Sequence, residues 1–275
     1  MTNDTAAAVP RASGKGSPKV QFCNLAKRFH RKGREVSVMN DLNLSIAEGE
    51  FVSFVGPSGC GKSTILNMTA GLMSPTRGQV LYQGVPVPTP NTNVGYITQN
   101  DNLLPWKTVA GNVGLALEIA HVGKAEREQR IKDVVELVGL AGFESAYPAE
   151  LSGGMRKRVT LARTLVYKPE VVLADEPFGA LDAQLKLIMQ QELLDIWARE
   201  GMTVIFITHD IAEAVALSGR VIVLSKRPTR MKIDRKIDLP RPRDVANLRF
   251  TKAFGDIYQE LWDVLGDDIR EGESV

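Results

Sequence analysis

The sequence predicts an α/β protein: a mixed sheet with a parallel centre, an antiparallel β-subdomain before it, and a helical subdomain inserted into it. Short β-branched runs alternate with longer helical patterns along most of the chain, which is the signature of a sheet with helices packed on it. The stretches 171–174 and 204–207 are almost continuously apolar, as strands buried on both faces require. Between about residues 100 and 162 the period becomes helical, with Val113 and Leu117 followed by Ile131, Val134, Val135 and Val138 at spacings of three and four.

In chain order, KVQFCNL reads as a first strand, and the alternating polarity up to a Gly84-Val85-Pro86 turn region suits antiparallel pairing. EFVSFVG is a strand running into a glycine-rich turn and the helical STILNMTAGL. VVLAD, TVIFITHD and RVIVLS supply further strands. Leu248, Phe250, Phe254, Ile257, Leu261, Trp262 and Leu265 form an apolar stripe on a C-terminal helix, whose expected role is packing. The expected organisation is a disordered leader over 1–18, a main domain over 19–246 with its helical part at about 100–162, and a C-terminal helix and tail over 247–275. The leader is small, polar and Pro/Gly-rich, without the apolar core of a secretory signal.

Composition narrows the function. With 275 residues the chain can bury a large core without disulfides, and its two cysteines need not pair. A net charge of +2 argues against a protein that coats nucleic acid by neutralising phosphates, so no nucleic-acid partner is expected. No apolar run approaches the roughly 18 residues needed to cross a bilayer.

The chemistry begins at Gly56-Pro57-Ser58-Gly59-Cys60-Gly61-Lys62-Ser63, which fits G-x-x-x-x-G-K-S/T between a strand and a helix. Glycines let backbone N–H groups turn inward around an anion, and the helix adds its positive end. Lys62 supplies a point charge, and the Ser63 hydroxyl can ligate Mg²⁺, with Thr64 the adjacent alternative hydroxyl. The ligand this calls for is a nucleoside triphosphate. At the end of the VVLAD strand, Asp175 would hold the metal and Glu176 would orient and deprotonate an attacking water. Cys60 lies at a helix start, where a thiolate is favoured, although a small, tolerated loop residue is the simpler reading. Alkylation there is expected to inhibit turnover, with Mg-ATP protecting.

Leu151-Ser152-Gly153-Gly154-Met155, followed by a basic amphipathic helix, sets this chain apart from other P-loop proteins. Here it resembles the nucleotide-binding subunits of ABC transporters, a resemblance covering about Lys19 to Leu265. What the resemblance implies is a P-loop NTPase core of the ABC type, with ATP and Mg²⁺ as cofactors. It makes Gln99 the Q-loop residue and a metal ligand, Ala180-Leu181-Asp182 the D-loop, and His209 a γ-phosphate contact that steadies the catalytic geometry. It places Phe29 where an aromatic stacks on adenine. Ser152 suits a helix N-cap, and with Gly153 and Gly154 it offers a second set of backbone donors to an anion. The resemblance implies that the two sets serve one nucleotide across a head-to-tail dimer with a second copy of the chain. Met155 departs from the family's usual Gln, and Ala174 and Gly179 are smaller than usual; trans phosphate contact is still expected.

The wording Asn102-Leu103-Leu104-Pro105-Trp106, Glu176-Pro177-Phe178-Gly179-Ala180-Leu181-Asp182, Thr208-His209-Asp210-Ile211-Ala212-Glu213-Ala214 and Leu239-Pro240-Arg241-Pro242-Arg243-Asp244 is similar to the nitrate/sulfonate/taurine importers. That similarity implies an ATPase subunit on the cytoplasmic side of the inner membrane, peripheral to integral-membrane permease subunits. Indirectly it implies a periplasmic or lipid-anchored solute-binding protein. Leu103, Leu104, Pro105 and Trp106 would line the groove that receives a coupling helix. About 50 residues follow Ser225, and no added regulatory β-domain is expected among them. The alternative is a non-transport ABC ATPase acting as a nucleotide switch in a soluble complex.

Overall fold

A computed structural model describes residues 18–31 and 34–272. The expected leader lies outside the described residues, apart from its last position. The elements are β1 (Val20–Arg31), β2 (Arg34–Ile46), β3 (Phe51–Val55), α1 (Lys62–Thr69), β4 (Arg77–Tyr82), β5 (Val85–Pro86) and β6 (Val94–Ile97). Then come α2 (Val109–Ile119), α3 (Lys124–Leu137), α4 (Gly153–Leu165), β7 (Val171–Asp175), α5 (Ala183–Glu200), β8 (Thr203–Thr208) and α6 (Ile211–Leu217). The chain finishes with β9 (Arg220–Leu224), β10 (Met231–Lys236), α7 (Val245–Leu248) and α8 (Lys252–Gly272).

Two sheets form. One is antiparallel, in the order β2-β1-β4-β5; the other runs β10-β9-β3-β8-β7-β6. In the second sheet β9, β3, β8, β7 and β6 are mutually parallel, and only β10 runs against its neighbour. The register decides where chemistry can gather. Val55 lies opposite Thr208 and Val223, and Ala174 lies opposite Ile97 and Phe206. The C-terminal ends of β3, β6, β7 and β8 therefore finish side by side, so the loops after them open on one edge, where ligands of parallel sheets collect.

The parallel strands are apolar throughout because each face packs into a different core. Val172, Ala174, Val204 and Phe206 join α2, α4, α5 and α6 on one side. Leu173, Ile205, Ile207 and Phe54 point the other way, onto Ile65 and Leu66 of α1 and Phe22 of the antiparallel sheet. Phe22 and Phe54 meet edge to face at 6.4 Å between ring centroids. Helix starts are marked by polar caps: Thr108 accepts from the Gly111 N–H at α2, Asp182 from Gln184 and Leu185 at α5, and Asp210 from Ala212 and Glu213 at α6.

Three expectations need adjusting. The turn read at Gly84-Val85-Pro86 is a two-residue loop of Gln83 and Gly84, both at positive φ, after which Val85 and Pro86 pair back onto Tyr82 and Leu81. The helices of the insertion span 109–165, and the stretch from Asn100 to Lys107 is irregular. The C-terminal stripe is split between two helices. Asp244 caps α7, and the Thr251 hydroxyl accepts from the Phe254 N–H as α8 begins, so Phe250 falls in the turn and is exposed. Phe254, Ile257, Leu261 and Leu265 do pack into the core beside the sheet, whereas Trp262 faces outward, stacked on Tyr258. Among the described residues no helix is long and apolar enough to cross a membrane.

Candidate functional site

The loop between β3 and α1 is shaped by close approaches that only glycine allows. A Cβ on Gly56 would lie 2.8 Å from the Leu224 carbonyl oxygen, and Gly61 sits at φ +116° with Val38 against it. Gly61 leaves the start of α1 without a side-chain cap, and no acidic residue occupies the first turn, so the helix's positive end is free to act on an anion. Lys62 is 5% exposed, and its ammonium donates to the carbonyls of Gly56 at 2.7 Å and Pro57 at 3.0 Å. The charge is thus held inside the curve of the loop formed by Gly56, Pro57, Ser58, Gly59 and Cys60.

Across the sheet edge, the Ser63 hydroxyl and the Tyr96 phenol stand close enough to the Asp175 carboxylate to favour its charged form. Burial pushes its pKa up, while the Ser63 hydroxyl and the Lys62 charge act in the opposite sense. Glu176 follows at φ +45°, a left-handed conformation that costs a side-chain-bearing residue about 1–3 kcal/mol and is over-determined here by its N–H bond to the Ile207 carbonyl. The turn aims the carboxylate at His209, whose Nδ1 lies 3.1 Å from Glu176 Oε2. Gly179 is bordered by both Gln99 Nε2 and Glu176 Oε2, so the amide reaches the same place from the end of β6. Lys62, Ser63, Asp175, Glu176, Gln99 and His209 are therefore brought to one edge.

The other expected residues lie on other elements. Phe29 pairs with Val36 near the exposed end of the β1–β2 hairpin, and Val38 of the same hairpin abuts Gly61. One face of the Phe29 ring carries the Lys27 ammonium at 5.0 Å. Ser152 caps α4 by accepting from the Met155 N–H, and Gly154 packs on Leu185, where any Cβ would clash at 2.7 Å. Among the described residues no hydrogen bond joins Ser152, Gly153 or Gly154 to the loop 56–63. Asp182 spends one carboxylate oxygen capping α5. Thr64 follows Ser63 within the first turn of α1.

The oxygens of Ser63, Asp175 and Gln99 suit a hard divalent cation that draws its remaining ligands from phosphate and water. Among the described residues no cluster of three His, Cys, Asp or Glu offers an all-protein metal cage.

Of the two readings of Cys60, burial favours the simpler one, a small loop residue, over a reactive thiolate. The thiol is 2% exposed, and burial raises its pKa even though Lys62 and Arg227 pull the other way. At pH 8 an alkylating reagent is expected to modify the half-buried Cys23 well before Cys60, as read by peptide mapping; prompt Cys60 labelling would contradict this.

Two residues escaped the sequence reading. Tyr96 donates to Asn67 Oδ1 at 3.2 Å with Asp175 close by, and burial together with the Asp175 charge pushes its phenol pKa upward. Its place on β6, directly before Ile97, carried no mark of these neighbours. Arg227 brings a guanidinium beside Gly59, from a loop whose Thr229 hydroxyl donates to the Cys60 carbonyl. Nothing local in the sequence ties residues so far apart.

Comparison with known proteins accords with this geometry. Residues 39–179 match the ABC transporter family. The chain is 47% identical over 251 residues to an ABC transporter ATP-binding protein of Methanocaldococcus jannaschii, covering 91% of this chain and 92% of that one. It is 39% identical over 244 residues to the aliphatic sulfonates import ATP-binding protein of Bacillus cereus, covering 88% and 95%. A solved ATP-binding cassette, described as a dimer in a post-hydrolysis state with ADP and Pi, superposes with a TM-score of 0.70 at 32% identity, covering 80% of this chain and all of that one. Sequence motif, sheet-edge geometry and relatives agree that this chain is an ATP-binding ATPase subunit belonging to the ABC transporter family.

Proposed function

We propose that this ATPase energises an importer of small solutes of the nitrate, sulfonate and taurine class, working as a head-to-tail dimer beneath membrane permease subunits. The observation that carries the reading is Trp106, 71% exposed, which follows Leu103, Leu104 and Pro105 in the irregular segment directly after Gln99. An indole so exposed forms no part of the chain's own core, and its place next to a residue of the hydrolytic edge suits transmission of a partner's movement. The sulfonate-import relative points to the same class of transporter. In this reading the chain lies against the cytoplasmic face of the membrane, and a solute-binding protein delivers cargo from outside.

Each residue has a physical task in the cycle. Lys62 and the N–H groups of 56–63 bind the β- and γ-phosphates, Thr64 lies in the same helical turn, and Phe29 offers its free ring face to adenine. Ser63, Asp175 and Gln99 would hold Mg²⁺, which when bound neutralises charge on the phosphate oxygens. Glu176 orients the attacking water and takes its proton. His209, already hydrogen-bonded to Glu176, holds that carboxylate in line and faces the γ-phosphate. Ser152, Gly153 and Gly154 present their donors to the nucleotide of a second copy, and the adjoining Asp182 lies at that junction. Closure on ATP and reopening after hydrolysis would then move the permease.

Replacing Trp106 with Ala should leave basal ATP hydrolysis by the purified chain within about twofold and abolish solute uptake by the assembled transporter, since the indole is largely exposed and, among the described residues, no hydrogen bond joins it to the hydrolytic groups. Normal uptake by the variant would end the docking assignment.

A further inference from the structure

We propose that Lys157 is a positioning residue of the hydrolytic site, gripping the backbone of Gln99 so that α4 and the amide beside Glu176 are held as one unit. The inference rests on the ATPase activity of the chain and is independent of the importer reading.

The observation is an unusual arrangement on one stripe of α4. Lys157 is 5% exposed, and its ammonium donates to the Gln99 carbonyl at 2.7 Å and lies 2.7 Å from Asp101 Oδ1. One turn on, the Thr160 hydroxyl lies between the Arg156 carbonyl at 3.1 Å and the Asp101 carbonyl at 3.3 Å. Another turn on, the Arg163 guanidinium donates to the carbonyls of Asp101 at 2.8 Å and Asn102 at 2.7 Å. Arg156 lies 3.5 Å from Asp101 Oδ2 and also donates to the Leu151 carbonyl at 2.6 Å, immediately before Ser152. Residues 156, 157, 160 and 163 share a helix face, so Gln99, Asp101 and Asn102 are read by side chains of one helix, whereas Leu104 and Lys107 are held by Asn112 of α2.

Ordinary helix packing would put an apolar residue at 157, because a buried ammonium is costly unless its partners satisfy it. Here the partners lie in one short segment, and the nearest to the chemistry is Gln99. Among the described residues, Lys157 is the side chain of this stripe that reaches Gln99, while Thr160 and Arg163 act further along. Holding Gln99 by its carbonyl leaves the side-chain amide free to border Gly179 beside Glu176. The same helix begins at Ser152, so the clamp joins the second donor set to the hydrolytic edge through one buried charge. Lys157 touches neither the phosphate loop nor Glu176 in the hydrogen bonds and ion pairs of the described residues, so it acts through Gln99.

The test is steady-state ATP hydrolysis and nucleotide binding by the full purified chain carrying Lys157→Met, Lys157→Arg or Asp101→Asn. Lys157→Met keeps the stem and removes the charge; kcat should fall about 10- to 100-fold, the scale of a displaced positioning group. KM and Kd for ATP should stay within about twofold, because the loop that binds phosphate is untouched. Lys157→Arg restores a donor and should recover most of the rate. Asp101→Asn, at a half-exposed position, should lower kcat in the same sense and carries the test should Lys157→Met fail to fold. The proposal is overturned if kcat per folded molecule stays within twofold of the parent in the folded variants, whatever the melting temperature. A rise in KM equal to the fall in kcat, or no recovery with arginine, overturns it equally.

Discussion

Glu176→Gln is expected to slow ATP hydrolysis by about 10²- to 10⁴-fold, the usual contribution of a positioned general base, while leaving ATP affinity nearly unchanged. The substitution preserves shape at a residue whose left-handed backbone is fixed by the bond to Ile207, and an amide oxygen can still accept from His209. What disappears is the capacity to take the proton of the attacking water. Phosphate release would measure the loss, and binding of a fluorescent ATP analogue would show that the loop still works. In the proposed dimer, ATP bound without turnover should also shift the variant to the dimeric elution volume. A rate within threefold of the parent would remove Glu176 from the role.

Lys62→Ala acts at the preceding stage. The ammonium is buried within the loop and bonded to two carbonyls, so its charge is aimed at the phosphates with little competition from water. Charge-assisted hydrogen bonds are worth about 1.5–3 kcal/mol each, which corresponds to an affinity loss of about tenfold or more for each one removed. Titration calorimetry with ATP should show at least that loss, and unchanged circular dichroism would separate it from unfolding. Retained affinity would mean that the backbone donors and the start of α1 suffice.

Much of the fold was legible because its strongest signals are local. The runs VVLAD and TVIFITHD declared a doubly buried sheet, and the glycines and Lys62 of the phosphate loop announced their ligand, since each requirement is met within a few residues. β10 was not legible: MKIDRK is a charged edge strand, exposed at alternate positions, and carries little burial signal to read. Phe250 was misplaced because helical spacing alone does not show that Thr251 starts a second helix. At the site, Glu176 and His209 were each readable, but their 3.1 Å contact depends on the parallel register of β7 and β8. Tyr96, Arg227 and the Lys157 clamp stayed hidden because their partners are remote in sequence, and only the packed sheet brings them together.

The sheet that separates the two cores also divides the labour mechanically. β3, β7 and β8 are gripped from both sides, so the Lys62 loop, Asp175 and Glu176 hang from a stator that cannot shift without opening both cores. The helical layer of α2, α3 and α4 is embedded in only one of them. In the proposed clamp that layer is not free of the stator, because Lys157 ties α4 to the Gln99 carbonyl, so a displacement of the Ser152 end would be felt at the hydrolytic edge through that one ammonium.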